Sequence, residues 1–348
     1  MRELILAAPS PLDQATGGYA YDRHIVAQLR AAGWNAEFAA LPPGFPAPSA
    51  AELDATVSWL EALDPAVPVV VDGLALGAMG HIAPAFRARL KLVALVHHPL
   101  ADETGLDQAT RERLRDGEML ALRAARGVIV TSPFTAHRLD AFGVPPGRIR
   151  VVEPGVARRP LARGGAGVPT LLCVASYTRR KGHDVLLAAL DRLRDRHWRL
   201  VCAGVRGLDP AFEAEVEAVA ATFAGRVELR GRQSDPALDA LYATADVFTL
   251  ASHYEGYGMV FAEAIAAGLP IVATAGGASR DTIPREAARL AGPGDVTGLA
   301  EALAEVLDRP ARRRALAQAA RQARARQSGW PEAAERFAQA IREMATWD

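Results

Sequence analysis

HYEGYGMVFAEAIAAGLPIVAT, residues 253–274, packs a turn, a helix and a strand into one line of sequence. The apolar run VFTLAS ends at Ser252, just before it, and reads as a buried strand. Glu255-Gly256-Tyr257-Gly258 then forms a turn into a helix predicted from Met259 to about Ala267. Gly268 and Pro270 stop that helix, and IVAT is the next strand. A strand, a crossover helix and a second apolar strand make the repeating unit of a parallel sheet.

The same rhythm extends in both directions. Strands are expected at residues 3–8, 36–41, 68–74, 91–96, 127–131 and 148–152. In the second half they are expected at 170–175, 199–203, 226–230, 247–251, 270–274 and 288–291. Many are continuous apolar runs, the pattern of parallel strands covered on both faces. Helical patterns lie between them, at 21–32, 133–142, 183–195 and 212–223. The alternation implies a doubly wound α/β architecture. At 348 residues the chain favours two cores over one. EPGVARRPLARGGAGVP, residues 153–169, has linker composition and no hydrophobic period. The expected domains are therefore 1–156 and 157–330, with the last helix, about 331–348, packing back on the first domain.

Composition narrows the function. Forty basic and forty acidic residues leave a net charge of +0, which argues against a general nucleic-acid binder. Cys173 and Cys202, the two cysteines, sit in apolar strands, so a reduced, cytoplasmic protein is expected. The N-terminal apolar run is too short for a signal segment, and no stretch approaches membrane-spanning length. Arg-rich stretches at 111–126 and 312–326 leave peripheral contact with anionic lipid open, with solvated faces the simpler account.

The turn at 255–258 is suited to a phosphate. A helix that starts at the carboxyl end of a parallel strand presents unpaired N–H groups and the positive end of its dipole. Gly256 and Gly258 let the backbone approach an anion closely. Glu255 and Glu263 can turn carboxylates toward one ligand across the helix mouth, where carboxylates grip sugar hydroxyls. A second segment, ASYTRRKGHDVLLAAL, residues 175–190, places Arg179, Arg180 and Lys181 after a strand end, where cations face the ligand crevice. The chain has only two lysines, Lys91 and Lys181, so a lysine at this position stands out against its arginines.

Together these segments resemble the signature of the family-4 retaining glycosyltransferases, glycosyltransferase group 1. The Glu-x7-Glu motif is Glu255 to Glu263, and GVIVTSPFTAHRL, RIRVVEPGV and VELRGRQSDPALDALYATADVFTLAS extend the likeness over nearly the whole chain. The resemblance implies the GT-B fold, two Rossmann-like domains facing a central cleft. It implies a nucleoside-diphosphate sugar as donor and a glycan, lipid-linked or small-molecule acceptor. By resemblance Glu255 contacts the transferred sugar, Gly256, Tyr257 and Gly258 hold the phosphates, and Glu263 binds the ribose. Lys181 matches the family's lysine, which stabilises the departing phosphate. Ser176 stands where the family's arginine is usual, and Arg179 and Arg180 are equal candidates to replace it.

In the first half, Gly17-Gly18-Tyr19 forms a turn before a helix, and the resemblance places Gly18 near the donor. In LVHHPLADETGL, residues 95–106, it points to a histidine that contacts the donor sugar. His98 is preferred to His97 because it lies further past the strand end. Without a HExxH, a cysteine cluster or an Asp-x-Asp, no metal is expected. A nicotinamide-dependent dehydrogenase would need G-x-G-x-x-G after a strand, and no strand here offers it. A sugar-nucleotide epimerase, a phosphorylase, or a nucleotide-binding protein without transfer activity are the alternatives on the same fold.

Overall fold

A computed structural model describes residues 2–14, 16–164 and 167–347. The chain divides into two compact units, Met1–Gly155 with Gly329–Asp348, and Val156–Ser328.

The first unit is built on a six-stranded sheet of β1 (Glu3–Pro9), β2 (Asn35–Leu41), β3 (Pro68–Asp72), β4 (Lys91–Val96), β5 (Gly127–Val130) and β6 (Ile149–Val151). The strand order is β2-β1-β3-β4-β5-β6 and every pairing is parallel. The runs VVV in β3 and VIV in β5 are buried throughout, as strands covered on both faces require. Sequence periodicity carried β3 to residue 74, but it stops at Asp72, whose carboxylate accepts the Leu74 N–H at 2.8 Å and caps a short helix. Gly17 and Gly18, expected in a turn, form the first turn of a helix, Gly17–Ala31. The helix expected over 133–142 tightens into a 3₁₀ turn after Arg138 and ends at Gly143, which has φ +71°. The final helix, Trp330–Met344, belongs to this unit: the Trp330 ring stacks on His24 at 4.2 Å between centroids. Gly155 lets the chain pass against the start of this helix, since a Cβ there would lie 2.4 Å from Trp330 Cα.

The second unit repeats the plan with β7 (Thr170–Val174), β8 (Arg199–Ala203), β9 (Val227–Arg230), β10 (Val247–Leu250), β11 (Ile271–Thr274) and β12 (Ala288–Ala291). Its order is β12-β11-β10-β7-β8-β9, again all parallel. Sequence order reverses direction between β7 and β10. In a doubly wound sheet the crevice at the strand ends there is where ligands bind.

The stretch 153–169 has no regular element among its described residues, yet it is not loose. Val156 N–H donates to Ser328 O, Ala162 N–H to Ala267 O and Arg163 N–H to Ala243 O, at 2.8–3.0 Å. Residues 165–166 of that stretch lie outside the described residues. Among the described residues no helix is long and apolar enough to cross a membrane. In the Arg-rich stretches, Arg312 pairs with Glu305 and Arg326 with Glu286, so part of that charge is neutralised within the unit.

Candidate functional site

In the first unit the ring of His97 lies over the helix start at Gly18: a Cβ on Gly18 would come within 3.0 Å of its Cδ2. His97 Nε2 sits 3.2 Å from Asp22 Oδ1 and 3.4 Å from Asp72 Oδ2, both carboxylates buried. His98, the residue preferred from sequence position, pairs instead with Glu103 at 3.2 Å in its own loop. Asp102 of that loop holds Arg138 through two hydrogen bonds of 2.6 and 2.7 Å. Burial opposes the charge on His97, but Asp22 and Asp72 outweigh it and push the imidazole up from 6.5 to about 10. The sign follows. The folded state holds the proton more tightly than the unfolded chain, so this stabilisation is complete below pH 6.5 and is lost progressively as pH rises toward 10. We predict that the denaturation midpoint of the first unit falls across that window in the wild type and not in His97→Gln. Parallel pH profiles for the two would refute it.

In the second unit the loop after β10 is held in place by the loop after β11. Thr274 Oγ1 donates to Ser252 O at 2.6 Å, Ala278 N–H to Glu255 O at 2.8 Å, and Thr282 Oγ1 to Tyr257 O at 2.5 Å. Gly277 has φ +60°, and a Cβ there would meet Glu255 O at 2.3 Å, so only glycine fits so close to that backbone. Gly258, in the left-handed region at φ +85°, is the N-cap of the helix Met259–Ala266, and among the described residues no side chain caps that helix.

At this junction Lys181 Nζ donates to Glu255 Oε1 at 2.6 Å, and Ser252 Oγ donates to the same oxygen at 2.5 Å. Glu255 is almost wholly buried, with its side chain 6% exposed, and Lys181 is nearly so at 14%. Burial pushes the Glu255 carboxyl up, but the Lys181 ammonium and Arg180 guanidinium more than offset it and hold the group below its ordinary value. Burial likewise lowers Lys181, with Glu255 acting against it. Lys181 reaches this position because Gly182, at φ +64°, turns the chain into the helix His183–Asp191, while Arg180 O accepts the His253 N–H at 2.8 Å.

The two arginines that sequence could not separate part company here. Arg180 Nη1 donates to Tyr254 O at 3.0 Å and lies 3.9 Å from Glu255 Oε2. Arg179 points outward, bonded to the exposed Glu215 at 2.6 Å and lying over the Phe212 ring. Ser176 follows β7, half-buried, and its carbonyl accepts the Thr178 N–H at 2.9 Å. Glu263 lies in a network of its own. Tyr242 OH donates to its Oε2 at 2.9 Å, and Arg159 Nη2 is 3.2 Å from its Oε1.

Residues 21–158 match the family described as Glycosyltransferase Family 4, and residues 168–309 match Glycosyl transferases group 1. The chain belongs to the family-4, group 1 glycosyltransferases. Over 236 residues it is 32% identical to the MMP alpha-(1->4)-mannosyltransferase of Mycolicibacterium hassiacum, covering 63% of this chain and 57% of that protein. It spans little more than half the length of that curated relative. Its fold superposes on sucrose-phosphate synthase from Thermosynechococcus elongatus with a TM-score of 0.82 at 24% identity, covering 98% of this chain and 99% of the other. Anabaena HepE, solved in complex with UDP and glucose, superposes with a TM-score of 0.75 at 16% identity, covering 97% and 99%. Both likenesses establish the two-sheet GT-B fold expected from the Glu-x7-Glu resemblance.

The family signature does not account for every group near the site. Sequence reading missed Arg159 and Tyr242. Arg159 lay in a stretch read as linker, and Tyr242 in a helix with no polar pattern to mark its hydroxyl. Neither match to this glycosyltransferase family reaches Arg159. Two sets of side chains among the described residues bring metal-capable atoms within 4.8 Å of one another: Cys173, His183 and Cys202, and Asp22, Asp72 and His97. No sequence motif marks either set. The cysteines occupy paired positions of β7 and β8 in the core, and His97 lies within ion-pair distance of both aspartates.

Proposed function

We propose that this family-4 member is a retaining, metal-independent glycosyltransferase that moves a hexose from a nucleoside-diphosphate sugar to an acceptor hydroxyl on a glycan, lipid or small molecule. The observation that carries this reading is the buried Lys181–Glu255 pair beside the helix start at Gly258. An ammonium has three hydrogens and Glu255 occupies one, so two remain to bind phosphate oxygens. Glu255 Oε2, 3.9 Å from Arg180 Nη1, has lone pairs to accept a sugar hydroxyl. The N-terminal dipole of the helix Met259–Ala266 and Arg180 add positive potential to the same place.

The chemistry follows from these groups. As the anomeric C–O bond breaks, positive charge grows on the sugar ring and negative charge on the departing diphosphate. Cations fixed before the reaction stabilise that change without reorganising, which is where most electrostatic catalysis arises. Retention of configuration, with the acceptor hydroxyl attacking the face the diphosphate leaves, is inherited from the family rather than read from a distance. HepE, the relative solved with UDP and glucose, makes a uridine donor the first to try.

The test is a thermal-shift screen of UDP, GDP and ADP and their hexose conjugates, followed by transfer assays with the best donor. A nucleotide at a hundred times its Kd stabilises by about 2.7 kcal/mol, so the correct one raises the melting temperature by several degrees. No shift with any of the three nucleotides would overturn the reading.

A further inference from the structure

The side chains around Glu263 form a closed arrangement. The Arg159 side chain is 11% exposed, and its guanidinium reaches two acidic groups, Asp239 through Nη1 and Glu263 through Nη2. Its Cζ lies 4.7 Å above the ring of Tyr242, whose hydroxyl donates to the other Glu263 oxygen. Asp239 and Tyr242 share the helix Asp235–Thr244, Glu263 is on the helix Met259–Ala266, and Arg159 comes from the extended segment. That segment is pinned to the ends of both helices, through Ala162 to Ala267 O and Arg163 to Ala243 O. Tyr242 remains a phenol, and so a donor, because burial first and the nearby Glu263 second raise it well above its ordinary value.

Each Glu263 oxygen therefore has one fixed partner within the protein. A carboxylate has about four lone-pair sites, so one stays open on each oxygen. Two open acceptors set side by side at a fixed angle match the two hydroxyls of a cis-diol. We propose that Arg159 and Tyr242 are positioning residues that lock the Glu263 carboxylate in the one orientation that takes both ribose hydroxyls of the donor nucleotide. The inference rests on the proposed function above and deepens it. It assigns residues 159–163 a part in donor recognition beyond that of a connection.

The experiment is a cycle between protein and ligand. The tightest of UDP, GDP and ADP and its 2′-deoxy counterpart are titrated calorimetrically into the wild type, Arg159→Gln, Tyr242→Phe and Asp239→Asn. Asp239→Asn loosens Arg159 without altering Glu263 and keeps a readout if Arg159→Gln folds poorly. The wild type is expected to bind the deoxy compound about tenfold more weakly, the scale of a lost hydrogen bond to a charged group. In all three variants that ratio should fall by at least about threefold, because a carboxylate free to rotate gives up one hydroxyl cheaply. Affinity for the deoxy compound itself should hardly change. In transfer assays the donor KM should rise while kcat holds. A merely structural role would weaken both ligands alike and leave the ratio at its wild-type value, which would overturn the inference and leave the proposed function standing. A wild type that binds the two compounds equally would overturn the assignment of Glu263 to ribose as well.

Discussion

Lys181→Ala is expected to lower kcat for sugar transfer by about two to three orders of magnitude while changing donor KM far less. Lys181 is the most buried cation placed against Glu255, with 2.6 Å between Nζ and Oε1, whereas Arg180 stands 3.9 Å from the other oxygen. If Lys181 meets the leaving diphosphate, its contribution grows as the bond breaks and so appears in kcat more than in binding. Removal also leaves a buried carboxylate short of its main partner, a change that costs about 3–5 kcal/mol in buried pairs. Part of that cost is relieved when Glu255 takes up a proton, since burial is the largest influence on it and acts upward. The wild-type carboxyl is held low, so its stabilisation is present above the ordinary value of 4.5 and is lost as pH falls through the folded value. Lys181→Ala should flatten that acid limb. Lys181→Arg should not restore turnover, because a planar fork cannot occupy the site of a compact ammonium. Circular dichroism establishes that the variant is folded, and steady-state kinetics decides. A folded variant with kcat within about tenfold of wild type would remove Lys181 from the reaction.

How much of this was legible in sequence depends on the range of the interaction that decides each feature. β3, β5, β10 and β11 follow from apolar runs because burial on both faces leaves a local, one-dimensional trace, whereas β2 alternates and β9, VELR, is half-buried along its length. The turn into the helix was legible for a different local reason: Gly258 answers a backbone demand, with φ +85°. Element ends were less so. β3 stops before its apolar run does because the stop is made by a side chain, Asp72, that accepts the Leu74 N–H. Pairings across the fold left almost no trace. Arg179 and Arg180 are neighbours of the same type, and only the positions of Glu215 on one side and Tyr254 and Glu255 on the other tell them apart. His97 and His98 pose the same problem, and the ring held against Gly18 is the one that sequence position ranked second. Arg159 was hidden most completely. A segment without hydrophobic period looks like linker, yet Ala162 and Arg163 within it are held by backbone hydrogen bonds to helix ends distant in sequence.

Gly182→Ala is expected to cost the second unit at least about 2 kcal/mol and to abolish nucleotide binding in the fraction that still folds. Two penalties coincide at this residue. Its φ of +64° is left-handed, which costs a residue bearing a Cβ about 1–2 kcal/mol. That Cβ would also lie 2.1 Å from Ala251 O, a backbone atom just past β10 that cannot turn aside as a side-chain tip can. Gly207→Ala separates the two. Gly207 has φ +81° and, among the described residues, nothing within 4 Å of its Cβ, so it carries the backbone penalty alone. The excess of the Gly182 variant over the Gly207 variant in urea denaturation measures the contact itself. That contact has a functional meaning. Ala251 leads directly into Ser252 and Glu255, while Gly182 follows Lys181, so the place where these two backbones touch sets the separation of the ion pair. A methyl group inserted there must push the carbonyl and the lysine apart, and the pair cannot tolerate even an ångström of added distance and keep its hydrogen bond. Equal stability losses in the two variants, with nucleotide affinity intact in Gly182→Ala, would show that the lysine and the carboxylate are held in register by something other than this glycine.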